Sequence, residues 1–168
     1  MLRRDLLLCT CASLIAGSAR ATTTLSPPKG KVLLTVTGKI TVRNSPDAAL
    51  FDLDMLDALP SGQFKGETPW TKGVVTFVGP LGSALLDAVG ATGTRMKVSA
   101  LNDYVTEIPI SDFRTHQVIL ATHRDGKTMP VRDLGPIFII YPMDKEPDLR
   151  NELVYNRSAW QVKTIDIF

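Results

Sequence analysis

Near its end the chain sets a cation, a hydroxyl and an indole within four residues, Arg157, Ser158 and Trp160, with Asn156 just before them. A guanidinium makes forked hydrogen bonds to a phosphate or carboxylate, and an indole offers a broad apolar face with one polar edge. This set could hold a small anionic ligand. It could equally satisfy loop backbone, with Arg157 pairing to Asp148 or Glu152. Trp70, the other of only two tryptophans, could line the same groove or pack as core. Asn102, Asp103 and Tyr104 form a second polar group, for which a simple hairpin turn is the plainest reading.

Other chemistry is poorly represented. His116 and His123 flank the segment QVILAT without a third ligand beside them, so they read as surface histidines rather than a metal pair. Asp52, Asp54 and Asp57 lack the glycine turn and the closing glutamate of a calcium loop, and read as the solvated face of a helix. Neither a serine-nucleophile elbow nor a phosphate-cradling glycine loop is found.

Residues 1–21 differ from the rest. Arg3 and Arg4 precede a short apolar run, and Ala19 and Ala21 flank a small-residue cleavage pattern, so the segment reads as a signal peptide. The run is shorter than the ~20 apolar residues a bilayer needs, and no membrane span is expected. The opening RRDLL partly matches a twin-arginine signal; a general secretory signal explains it equally well. The mature protein is therefore expected to be periplasmic or secreted. Cys9 and Cys11 both lie in the leader, leaving the mature chain without a thiol. The leader takes Arg3, Arg4, Arg20 and Asp5 from 19 basic and 17 acidic residues, leaving 16 of each. A neutral chain does not suit nucleic acid or an anionic membrane surface as partner.

The elements that must position these residues follow from periodicity. Residues 22–30, rich in Thr and Pro, read as a mobile linker, and 31–168 as one domain. Val32, Leu34 and Val36 alternate as a strand. Asp52 can cap a short helix carrying Leu53, Leu56 and Leu59, which Pro60 ends. GVVTFVG reads as a strand, with Pro80 in the first turn of a helix that buries Leu81, Leu85, Leu86 and Val89 and ends at Gly90. RMKVSAL and YVTEIPI read as paired strands, with Pro109 marking an edge. Asp125 and Gly126 favour a tight hairpin, and IFIIY a strand buried on both faces. Residues 143–159 read as a long loop with one helical turn, and WQVKTIDIF as the last strand. Short strands with two brief helices and no regular alternation predict an α+β fold, a single mixed-sheet domain with short helices.

The order LTVTGKI, FDLDMLDALP, FVGPLGSALLDAVGA, VSALNDYVTEIPI, VILATHRDGKTMPVRDLGPIFIIYP and YNRSAWQVKTIDI resembles the molybdopterin-binding domain of the sulfite oxidase family. The resemblance spans nearly all of residues 31–168 and implies that family's mixed α+β fold. It also implies a molybdenum held by a pterin dithiolene and a cysteine thiolate, with Asn102, Asp103 and Tyr104 near the centre. This chain departs from the pattern at three anchors. The stretch that would hold the cysteine reads KGETPWTKGVVTF, and neither Thr68 nor Thr71 is an equivalent donor. Phe138 stands where an arginine is usual, and Trp160 where a lysine is usual, while Arg157 and Ser158 keep the family pattern.

The reading that follows is a binding or sensing module with a degenerate cofactor site, carrying no cofactor. Its ligand would be a small anion, a pterin-like molecule or a periplasmic protein partner, held around Arg157, Ser158, Trp160, Trp70, Tyr104, Asp103, Asn102 and Asn156. The alternative is an active molybdopterin-dependent oxidoreductase whose metal is held without a cysteine.

Overall fold

A computed structural model of the chain describes residues 24–168. The expected signal peptide, residues 1–21, and both cysteines lie outside the described residues. Strand β1 (Leu34–Gly38) buries Leu34 and Val36 as their alternation requires, and pairs antiparallel with β2 (Ala49–Phe51). Asp52 then caps α1 (Leu53–Asp57) by accepting from the Met55 N–H at 3.0 Å. Far from lying on a solvated face, Asp52 is buried. Its carboxylate also accepts the Gly30 and Lys29 N–H groups at 2.7 Å each. The hydrogen bonds from Gly30 and Met55 hold its pKa below the ordinary carboxylate value. Asn44 Nδ2 donates to the Ser26 carbonyl at 2.8 Å, so this stretch of the expected linker is tied to the domain at both its ends.

Two antiparallel strands follow, β3 (Ser61–Gly66) and β4 (Val75–Pro80). Pro80 ends the strand rather than starting the helix, and Leu81 takes the N-cap position of α2 (Gly82–Ala88). Leu85, Leu86 and Val89 are buried as their helical spacing predicts, and Gly90 follows the C-cap with φ +58°. The expected hairpin is β5 (Arg95–Ala100) with β6 (Val105–Pro109), and β6 is the sheet edge that Pro109 predicted. Beyond it lies α3 (Ile110–Thr115), a helix too short for periodicity to reveal.

The chain then forms β7 (Ile119–Ala121) and the small hairpin of β8 (His123–Arg124) and β9 (Lys127–Thr128). Asp125 and Gly126 turn that hairpin with φ +48° and +77°, the left-handed pair a two-residue hairpin needs. A 3-10 turn at Val131–Asp133 leads to β10 (Phe138–Ile140), fully buried and paired with β7. The expected loop at 143–159 instead contains a six-residue helix, α4 (Glu152–Arg157), whose Asn151 cap accepts the Val154 N–H at 3.0 Å. The last strand, β11 (Val162–Ile167), inserts between β1 and β5, parallel to the first and antiparallel to the second.

The result is mixed α+β: a five-stranded sheet in the order β2-β1-β11-β5-β6, a four-stranded sheet β3-β4-β8-β9, and the pair β10-β7. Phe51, Phe64, Phe77, Phe113, Phe138 and Tyr141 are the large, fully buried side chains of the core. Strand β7 lies so close to β4 that a Cβ on Gly79 would run into the Leu120 and Ala121 backbone, so that position must be glycine.

Candidate functional site

Phe138 and Trp160, two of the positions at which the chain departs from the pattern that the resemblance implies, meet in space with Trp70, which belongs to the stretch without the cysteine. Trp70 sits in the loop between β3 and β4, where its N–H donates to Thr68 Oγ1 at 3.3 Å. Its ring meets the edge of Phe138 at 5.3 Å, Tyr155 of α4 at 5.7 Å and Trp160 at 6.2 Å. Phe138 and Trp160 are 6.4 Å apart and nearly perpendicular. Tyr104 lies parallel to Trp160, with centroids 6.3 Å apart, and its hydroxyl donates to the Asn156 carbonyl at 2.7 Å. Such pairs contribute about 0.5–1.5 kcal/mol each beyond the area they bury. Trp70, Trp160, Tyr104 and Asn156 are thus brought together, through ring packing and one backbone bond. Asn102 and Asp103 sit on the exposed turn before Tyr104. Asn102 Oδ1 accepts the Tyr104 N–H at 3.2 Å, and Asp103 takes φ +63°, as a turn residue does.

Arg157 and Ser158 face the other way. The Arg157 Nη1 donates to Asp112 Oδ2 at 2.8 Å, pairing α4 with α3 rather than with the local acids Asp148 or Glu152. The same carboxylate oxygen accepts the Tyr141 hydroxyl at 2.7 Å. Burial, and then the Asp112 carboxylate, push the Tyr141 pKa above its ordinary value, so the phenol stays protonated and donates. The Nε of Arg157 is buried and has no partner among the described residues. Ser158 is buried and donates to the Val154 carbonyl at 2.9 Å, the back-bond of a hydroxyl at a helix end.

Asp112 and Tyr141 escaped the sequence reading. Asp112 stands 45 positions from Arg157 and nothing near it points to a partner. Tyr141 did carry a signal, because a tyrosine closing a buried apolar strand needs a hydrogen-bond partner for its hydroxyl. The histidines are also less free than expected. His116 Nδ1 is 2.7 Å from Glu146 Oε2, and His123 Nδ1 is 2.9 Å from Thr122 Oγ1 and 3.7 Å from Asp57 Oδ1.

The donor set at the anchor positions does not match the group that the resemblance implies. Thr68 is buried and its hydroxyl lies 2.7 Å from that of Thr71, so both are engaged with each other. Phe138 and Trp160 supply no charge to a pterin phosphate, and the Arg157 guanidinium is paired to Asp112.

No protein-family model and no curated protein matches the chain. Among solved structures it is similar to the sulfane dehydrogenase SoxCD from Paracoccus pantotrophus, with a TM-score of 0.57 and 16% identity. The match covers 80% of this chain and 37% of that one, so the chain spans little more than a third of the dehydrogenase's length. At such identity the likeness is a distant one of fold, to an oxidoreductase.

Proposed function

We propose that this chain is an exported binding module on an oxidoreductase-like fold, working without a cofactor and recognising a periplasmic protein partner. One observation carries the reading: Trp70, Phe138 and Trp160, at or near the places of the missing metal and pterin anchors, pack against one another. Tyr104, parallel to Trp160, is 40% exposed, and Val105 and Leu153 are 52% and 58% exposed. Val105 lies on the edge strand β6, which can accept a further strand, and α4, which carries Leu153, packs against β6. Clustered exposed apolar residues around half-open aromatic rings favour a protein over an anion as the ligand.

The rival is a working molybdopterin-dependent oxidoreductase, and the fold likeness to a dehydrogenase supports it. Molybdenum analysis and pterin fluorescence of protein purified from its own molybdenum-replete host separate the two. The binding module carries neither; about one molybdenum per chain establishes the enzyme. Photo-crosslinking from position 153 in the same host tests the partner, with a discrete adduct expected that Tyr104→Ala weakens. Absence of any adduct removes the partner.

A further inference from the structure

Eight large hydrophobic residues are exposed among the described residues, and three of them converge on one cleft away from the aromatic cluster. Val32, Leu101 and Val131, exposed at 38%, 46% and 49%, line it together with Met129, and its volume is about 430 Å³. That lies within the ~300–1,000 Å³ of small-molecule sites. The charged residues that line it are Lys31 and Lys163 alone. Both are exposed, and neither has a carboxylate within 4.0 Å among the described residues.

The wall is braced. Gln161 takes the left-handed conformation, φ +55°, and its side chain donates to the Val131 carbonyl at 2.8 Å. Its own carbonyl accepts the Leu101 N–H at 2.9 Å, and its N–H donates to the Leu134 carbonyl at 3.1 Å. A non-glycine residue held at positive φ is strained and persists only where its surroundings over-determine it. Here that residue fixes the two walls, Leu101 and Val131, relative to each other before any ligand arrives. A preformed apolar cleft loses little ordering entropy on binding. A second, polar cleft shares Met129 and Pro130 with it, and there Arg124 and Arg132 are paired with Asp125 and Asp133, which leaves Lys127 as the cation of that lining outside an ion pair among the described residues.

We propose that this cleft binds a small amphipathic monoanion, with its hydrocarbon body against Val32, Leu101, Met129 and Val131 and its carboxylate or equivalent head group met by Lys31 and Lys163. The hydrocarbon supplies affinity through burial. The two lysines, without an ion-pair partner among the described residues, supply the preference for an anion.

Calorimetric titration of the purified chain with decanoate, decanol and acetate tests the assignment. One saturable decanoate site is expected, at least tenfold tighter than decanol, with acetate showing no binding. Lys31→Gln with Lys163→Gln should bring decanoate to the level of decanol, and Leu101→Asp should abolish both. All three positions are exposed, and circular dichroism of each variant confirms the fold. Absent or non-saturable decanoate binding overturns the site, as does binding that survives Leu101→Asp. Preferential sedimentation with phosphatidylglycerol vesicles over capture of free decanoate assigns the lysines to a membrane surface and overturns it too. These residues are separate from Tyr104, Val105 and Leu153, so failure here leaves the partner face untouched.

Discussion

Arg157 and Lys163 are neighbouring cations on the way into the last strand, and the fold treats them in opposite ways. Arg157 closes α4 against α3, where Asp112 takes its charge and burial seals its Nε. Lys163 is exposed on β11 and lines an apolar cleft, with no ion-pair partner among the described residues. A cation paired inside the protein works as a fastener, because its desolvation must be offset by its own partner. A cation left in solvent beside apolar surface remains free for a ligand. Sequence motif pointed to the first of these; exposure and pairing point to the second.

The contrast can be broken by substitution, beginning with the aromatic cluster that Tyr155 of α4 joins. Phe138→Ala removes a fully buried ring from the aromatic cluster and should cost about 3–5 kcal/mol in denaturant unfolding. A cost under ~1 kcal/mol would mean that the rings are loosely held. Asp112→Asn should cost about 2–3 kcal/mol, because the Arg157 charge and the Tyr141 hydroxyl lose their shared acceptor in a largely buried place. Adding Arg157→Leu should recover part of that loss, and a double variant no better than the single one would show that Arg157 does not depend on Asp112. Lys163→Gln should change stability by no more than ~0.5 kcal/mol. A loss matching that of Asp112→Asn would reveal a hidden partner for Lys163 and end the distinction between the two cations.

Much of the frame was legible because its causes are local. Alternation along 95–100, 105–109 and 162–167 marked strands that the structure confirms, and Asp125-Gly126 fixed a hairpin through the φ values that pair tolerates. Strand β3 was missed because SGQFKG has a weak strand preference; it is a strand because β4 pairs with it along its whole length. Helices α3 and α4 were missed or shortened because six residues show less than two turns of periodicity. At the site, Trp70, Tyr104 and Trp160 pack together, whereas Arg157 bonds to Asp112 and Ser158 to the Val154 carbonyl, partners that no local pattern in the sequence points to.

What the linear chain settled by itself were properties of single residues and near neighbours: no thiol after Cys11, the Asp52 cap and the Asp125-Gly126 turn. The direction in which Arg157 points was left to the tertiary structure. Its partner lies 45 positions away, and a guanidinium donates to any carboxylate that comes within reach, so only the placing of α3 and α4 against the same strand, β6, could select Asp112 over the acids nearby.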